Sequence, residues 1–343
     1  MTHLAAGVAN LVRIHTAGFE GLVFTIGPIL TGWPGSFWGF ASLWLIGILI
    51  NGYIFALNDL VDLPYDKANP ARSRSPLVDG RVSQRLALAI SVSLPLAATA
   101  IVVLSRWPIS AEIPFTSLLI LGAFVNIYQK VTRHPLIMDL LFSVTMAAPI
   151  PVTAQALMHN IPFLAWSATV SLFFLALQLN SIGGNLKDLE ADRRTGFHTV
   201  AVSHGASVAA DGTLIPGNRY RRYCWCVHGI TSLSLLVTTA GAIYSRSLPE
   251  LLAVAILAVA ACFLGARDLR RLLRGTRRPS PRGTQVYFGS GFSLLLVAVA
   301  AHSHLPAFLA SFVLLIIWTT GFALYWWWYW RRSPVAPSPS LET

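Results

Sequence analysis

The chain of 343 residues is 55% hydrophobic and only 11% charged, with a mean hydropathy of +0.61. Soluble domains carry about a quarter charged residues, so this composition excludes an ordinary soluble fold. A net charge of +11 would by itself suit a nucleic-acid partner, but the positions of the basic residues argue against one.

Apolar runs of about 20 residues, the length that crosses a hydrocarbon core about 30 Å thick, recur along the chain. In chain order they occupy residues 14–33, 37–60, 84–104, 113–129, 136–156, 162–183, 223–244, 248–266, 286–302 and 306–330. The sequence therefore predicts an all-α, polytopic membrane helix bundle. The Pro/Ser-rich residues 333–343 predict a disordered tail.

Basic residues are concentrated in alternate loops. If the N-terminus is cytoplasmic, 23 of the 25 Lys and Arg residues lie on that side, and only Arg106 and Arg246 lie outside. Such a bias follows the positive-inside rule. We therefore predict an integral membrane protein with a cytoplasmic N-terminus, in the plasma membrane if its source is prokaryotic. Its partner by this criterion is the lipid bilayer, with anionic lipid as a secondary possibility and no nucleic acid.

The first acidic cluster ends the second apolar run and spans residues 58–66, NDLVDLPYD. Asp59, Asp62 and Asp66 follow the spacing i, i+3 and i+7, which places them on one face of a helix. Pro64 interrupts a regular helix, so it is open whether this face extends to Asp66.

The second acidic cluster ends the sixth run and spans residues 185–192, NLKDLEAD, with Asp188 and Asp192 at i and i+4. Carboxylates at this spacing repel one another unless a cation lies between them. Mg²⁺ takes one or two carboxylates and completes its octahedron with water and phosphate oxygens. Two such helix ends facing each other predict two or more Mg²⁺ ions that hold a diphosphate. The alternative is that the acids only solubilise helix ends and balance nearby arginines.

Basic side chains near both clusters could neutralise a diphosphate. Arg72 follows the first cluster, Lys187 lies within the second, and Lys130 and Arg133 occupy the loop between the fourth and fifth runs. For Lys130 and Lys187 a phosphate role and a purely topological role are equally open.

Residues 58–66, followed by SPLVDGRVS at 75–83, resemble the first signature of the UbiA superfamily of intramembrane prenyltransferases. Residues 188–196, DLEADRRTG, are similar to its second signature. The resemblance covers about residues 10–303 and implies nine core membrane helices around a central cavity. Residues 304–332 would then form an additional C-terminal membrane helix, followed by the tail 333–343.

The resemblance implies Mg²⁺-dependent transfer of an isoprenyl group from a prenyl diphosphate to an acceptor, usually aromatic, with release of pyrophosphate. The implied catalytic and metal-binding residues are Asp59, Asp62, Asp66, Asp188 and Asp192. The implied diphosphate-binding residues are Asn58, Arg72, Tyr128, Lys130, Arg133, Asn185 and Lys187. Thr132 replaces the basic residue expected about four after Tyr128, which leaves open whether Lys130 or Arg133 contacts the phosphate.

Two other functions remain as alternatives. A terpene cyclase of the same fold would ionise the prenyl diphosphate without an acceptor. A membrane transporter would carry acids at mid-membrane depth, whereas these acids lie at helix ends. Within the sixth run, Gln178 and Asn180 have two interpretations: they orient an acceptor hydroxyl, or they hydrogen bond to a neighbouring helix.

Overall fold

The chain forms a bundle of α-helices in the computed structural model, which confirms the predicted all-α fold class. The structure describes residues 3–33, 35–68, 72–129, 131–211, 213–244, 248–274, 281–302, 313, 316–318 and 320–321. Within this part of the chain the only strands are β1 (Ser207–Val208) and β2 (Leu214–Ile215), which pair antiparallel in a small hairpin.

Thirteen helices and one π-helical segment follow one another along the described chain. They are α1 (His3–Leu11), α2 (Ala17–Leu30), α3 (Phe37–Asp66), α4 (Gln84–Leu104), α5 (Ile109–Tyr128), α6 (Pro135–Ala147), α7 (Pro149–Met158), α8 (Phe163–Leu177), the π segment (Gln178–Gly184), α9 (Asn185–Thr195), α10 (Val200–Ser203), α11 (Asn218–Ile243), α12 (Leu248–Leu272) and α13 (Pro281–His302).

Seven helical stretches in the described part of the chain are long and apolar enough to cross a membrane, so the protein is an integral membrane protein. They are Phe37–Asp66, Gln84–Leu104, Ile109–Tyr128, Pro135–Met158, Phe163–Thr195, Asn218–Ile243 and Leu252–Leu272. Ala17–Leu30 and Gly291–His302 are shorter apolar helices. The count of nine core membrane helices therefore stays a prediction.

Three helix boundaries differ from the predicted runs. The fifth run divides at Ala148 into α6 and α7, because Pro149 begins a new helix. The sixth run continues through the π segment to Thr195, so the second acidic cluster lies inside a continuous helical stretch. Helix α3 likewise continues through Pro64 to Asp66. Pro64 has no N–H to donate to the Leu60 carbonyl, but the Lys67 amide still donates to the Leu63 carbonyl, so the last turn of α3 stays closed.

The predicted helix at 306–330 falls largely outside the described residues, and the tail at 333–343 falls wholly outside them. One described residue of that helix, Trp318, donates its indole N–H to the Ile14 carbonyl at 2.8 Å. The domain boundaries that follow from the resemblance stay predictions.

The central core packs apolar side chains of α2, α8, α11 and α13, among them the buried Ile26, Leu172 and Leu295. A second core joins α3, α4, α5 and α7. Helices α2 and α3 pack backbone to backbone at Gly47, where a Cβ atom would lie 2.6 Å from the Glu20 carbonyl oxygen and the Gly21 amide nitrogen. Small residues of this kind let membrane helices pack backbone to backbone.

We expect Gly47→Ala to lower the stability of the detergent-solubilised protein by about 1–3 kcal/mol, since the added methyl group meets backbone that cannot move aside locally. Gly229→Ala is the matched control, because a Cβ atom there meets nothing within 4 Å. Thermal unfolding followed by circular dichroism measures both variants. Equal melting temperatures for the two would contradict this account of the α2–α3 contact.

Candidate functional site

The first acidic cluster lies at the end of α3, where two of its carboxylates are buried. Asp59 is 6% exposed and Asp62 is 8% exposed. The Asn58 amide donates to Asp62 Oδ2 at 3.0 Å, and its own oxygen accepts from Gln129 Nε2 at 2.8 Å. Asn58 thereby orients Asp62 and ties the end of α3 to the end of α5, next to Tyr128.

Arg13, which the sequence analysis did not connect with this cluster, contacts Asp59. Its guanidinium donates to Asp59 Oδ1 at 3.1 Å and lies over the Phe55 ring, 4.1 Å from the centroid. The backbone there is left-handed, with φ of 42° at Arg13, and the Asn51 amide holds it by donating to the Val12 carbonyl at 2.9 Å. The turn between α1 and α2 is therefore built to present a cation to α3.

His15 lies in the same turn. Burial, and then the charge of Arg13, lower the pKa of His15. The imidazole is therefore neutral at neutral pH, and Arg13 is the positive group of this turn.

Asp66, the last acid of the first cluster, faces Arg72, with 3.7 Å between its Oδ1 and the Arg72 Nε. The loop then folds back through Arg81, which donates to Asp79 and to the Arg74 carbonyl, each at 2.7 Å. Arg72 is thus near the first cluster, as the resemblance implies, although its phosphate role stays a prediction.

The second acidic cluster lies on α9. Asp192 is 5% exposed, whereas the Asp188 side chain is 45% exposed and pairs with Lys187 at 3.5 Å. The Asn185 amide donates to the Asn180 carbonyl at 2.7 Å and accepts from the Ala201 N–H at 3.3 Å. These bonds fix α9 between the π segment and α10.

The two clusters meet at one end of the bundle, here called the motif end and defined by residues 58–66 and 185–197. The ring of Tyr65, between Asp62 and Asp66, packs edge-on against Phe197 with 4.6 Å between centroids. Gly196 makes this contact possible, because its φ of 75° turns the chain sharply after α9. The contact brings the segments that carry the two clusters together, and the facing of their carboxylates stays a prediction.

Other predicted diphosphate residues are less enclosed. Tyr128 is 47% exposed and packs on Phe124, with ring centroids 4.6 Å apart. Arg133 is exposed. Lys130 lies outside the described residues.

The described residues contain no group of three His, Cys, Asp or Glu side chains arranged to hold a metal ion. The motif end nevertheless offers carboxylate oxygens in two sets, one on α3 and one on α9, and these are the ligands that Mg²⁺ prefers. Mg²⁺ needs only one or two carboxylates when water and phosphate oxygens complete its shell. The donor set therefore fits Mg²⁺ bound together with an anionic ligand.

A further buried acid, Asp139, lies in the second turn of α6 and is 7% exposed. The Asn180 side-chain amide, in the π segment, donates to Asp139 Oδ1 at 2.8 Å. The Gln178 side-chain amide is hydrogen bonded to His228 on α11, with 3.4 Å between Nε2 and Nδ1. Both amides thus reach neighbouring helices, in line with one of their two predicted interpretations. Asp139 is not among the predicted site residues, although an acid inside a predicted membrane run is itself a signal of a functional position.

Comparison with known proteins gives a family match and two curated relatives. The model of the UbiA prenyltransferase family matches residues 22–281. The 4-hydroxybenzoate octaprenyltransferase of Herminiimonas arsenicoxydans is 24% identical over 225 residues, which cover 62% of this chain and 74% of that protein. The digeranylgeranylglyceryl phosphate synthase of Sulfolobus acidocaldarius is 25% identical over 206 residues, which cover 57% of this chain and 68% of that protein.

Two solved structures share the fold. A UbiA homolog from Archaeoglobus fulgidus bound to GPP and Mg²⁺ superposes with a TM-score of 0.59 at 16% identity, over 84% of this chain and 99% of that one. The apo UbiA homolog from Aeropyrum pernix K1 gives a TM-score of 0.58 at 16% identity, over 92% of this chain and 99% of that one.

We expect Arg13→Met to destabilise the metal-free protein by about 1–3 kcal/mol, because it leaves the buried Asp59 carboxylate without its cation. The double variant Arg13→Met/Asp59→Asn should recover most of this loss. Arg85→Met, which removes an exposed arginine, is the matched control. Thermal unfolding in EDTA measures all of them. A loss in Arg13→Met no larger than in Arg85→Met would show that the ion pair contributes nothing.

Proposed function

Because this chain belongs to the UbiA prenyltransferase family and is a prenyltransferase, we propose that it transfers an isoprenyl group from a prenyl diphosphate to an aromatic acceptor in a Mg²⁺-dependent reaction. Pyrophosphate is the other product. The observation that supports the proposal is the ring contact between Tyr65, within the first acidic cluster, and Phe197, just after α9. Among the relatives, one is named for 4-hydroxybenzoate and another structure is described with GPP and Mg²⁺.

Each set of side chains at the motif end has a proposed role. Two or more Mg²⁺ ions would be held by Asp59, Asp62, Asp66, Asp188 and Asp192. The diphosphate would be bound by Asn58, Arg72, Tyr128, Lys130, Arg133, Asn185 and Lys187. By the positive-inside rule we place this motif end and the N-terminus in the cytoplasm.

The reaction breaks the bond between prenyl C1 and the diphosphate oxygen, and the electron pair leaves with the diphosphate. When bound, Mg²⁺ supplies charge stabilisation for this leaving group. The chain's own residues hold the geometry: Asn58 orients Asp62, and Arg72 adds positive charge beside Asp66. The apolar bundle excludes water from the allylic cation, which would otherwise be hydrolysed.

Asp62→Asn and Asp188→Asn should each lower Mg²⁺-dependent pyrophosphate release by about 100-fold or more, since each removes charge that binds the metal–diphosphate complex. EDTA should abolish release by the wild-type protein. Glu112→Gln is the matched control, because Glu112 is in the first turn of α5, about 24 Å along the helix from Tyr128. Full activity in both Asp variants would refute the metal-site assignment.

Whether pyrophosphate release depends on an acceptor distinguishes prenyl transfer from cyclisation. Geranyl, farnesyl and geranylgeranyl diphosphates should release pyrophosphate rapidly only when a phenolic acid or quinone precursor is added, and mass spectrometry should detect the prenylated ring. Rapid release without an acceptor, together with a hydrocarbon or terpene alcohol, would instead identify a terpene cyclase.

A further inference from the structure

The turn between α1 and α2, residues 12–16, is held by side chains from two distant parts of the chain. From α3, the Asn51 amide donates to the Val12 carbonyl at 2.9 Å. From the tenth apolar run, the Trp318 indole N–H donates to the Ile14 carbonyl at 2.8 Å. These two hydrogen bonds tie the α1–α2 turn to the rest of the bundle.

The backbone of the α1–α2 turn is strained at Arg13, where φ is 42°. A residue with a Cβ atom disfavours this left-handed region, and such a conformation persists only where surrounding bonds hold it. Within the turn, the Thr16 N–H and the Thr16 hydroxyl both donate to the Arg13 carbonyl at 2.8 Å. These local bonds close the turn, but they move with it and do not fix its place in the bundle. The bonds from Asn51 and Trp318 fix that place.

The Ile14 carbonyl accepts two hydrogen bonds, as its two lone pairs allow. One comes from the Ala17 N–H at 3.2 Å, at the start of α2. The other comes from Trp318, which is 304 residues away along the chain. The Trp318 ring packs against the central core, so its N–H is a well-anchored donor. Trp318 thus locates the peptide group that directly follows Arg13.

Arg13 connects the α1–α2 turn to the motif end. Its guanidinium donates to Asp59 Oδ1 at 3.1 Å and lies 4.1 Å from the centroid of the Phe55 ring. An arginine side chain is long and has many rotamers, so its contacts depend on where its backbone is held. A turn that is less firmly held would therefore let Arg13 leave Asp59.

The hydrogen bond from Trp318 to Ile14 joins two segments outside the part of the chain that the family model matches. That match covers residues 22–281, whereas Ile14 precedes these residues and Trp318 follows them. The family match therefore assigns no role to either partner. Their contact nevertheless connects the tenth apolar run with a residue that touches the first acidic cluster.

We propose that Trp318 is a positioning residue of the active site, which holds the α1–α2 turn so that Arg13 keeps its place beside Asp59. Arg13 then adds a positive charge next to the carboxylates proposed to bind Mg²⁺ and the diphosphate. Trp318 contacts no reacting group and acts through Arg13. This inference rests on the proposed transfer from a prenyl diphosphate at the motif end.

Trp318→Phe tests the proposal, because it removes the indole N–H and keeps an aromatic ring. In Mg²⁺-dependent pyrophosphate release with a phenolic acceptor, we expect the KM for geranyl diphosphate to rise about threefold to tenfold, as for the loss of one hydrogen bond. The kcat should stay within about twofold of the wild type, since Arg13 acts on the diphosphate both before and after bond cleavage.

Trp44→Phe is the matched control, because the buried Trp44 N–H has no hydrogen-bond partner among the described residues. It reduces the ring in the same way and should leave the KM unchanged. A second comparison uses Arg13→Met as the background. Trp318→Phe should leave the KM unchanged there, because no cation remains to be positioned. A Trp318 that only stabilises the fold would instead raise the KM equally in both backgrounds.

Benzothienylalanine at position 318 replaces the N–H by sulfur and preserves the size of the ring, which gives a second variant in case Trp318→Phe does not fold. It should raise the KM in the same way. A wild-type KM in a folded variant at position 318, an equal rise in Trp44→Phe, or a full rise in the Arg13→Met background would overturn the inference. Absence of Mg²⁺-dependent pyrophosphate release from the wild type would overturn the proposed function instead.

Discussion

Burial of carboxylates at one end of an apolar bundle is the constraint on which the rest of the structure depends. Asp59, Asp62 and Asp192 are all less than one-tenth exposed, and removing a charge from water costs several kcal/mol unless other groups compensate. The chain itself supplies part of that compensation, through Arg13 on Asp59 and the Asn58 amide on Asp62. In our proposal Mg²⁺ supplies the remainder.

Three irregular features of the backbone position these acids. Helix α3 tolerates Pro64 in its last turn and so carries its acids to Asp66 without interruption. The π segment lets the sixth run continue into α9 while Asn180 reaches Asp139. Gly196 then turns the chain so that Phe197 meets Tyr65. The two acidic clusters thus share one end of the bundle because of local geometry.

The all-α fold and both acidic clusters could be predicted from the sequence, because apolar run length and helical spacing are local signals. The pairing of Arg13 with Asp59 and that of Asn180 with Asp139 could not be predicted, since these partners lie 46 and 41 residues apart and a single sequence does not report such pairing. The helix extends to Thr195, beyond the sixth apolar run, although residues 185–195 are polar. A polar stretch at the end of a bundle can remain helical when its buried face packs, as Leu186 and Leu189 do here.

The most direct test of the account is a structure of the protein with geranyl thiodiphosphate and Mn²⁺ in place of Mg²⁺, with the metal located by its anomalous scattering. We predict anomalous peaks at the motif end, bridging the diphosphate to carboxylates of both α3 and α9. A diphosphate bound elsewhere, or metal peaks that contact neither acidic cluster, would contradict the claim that these two helix ends form one active site.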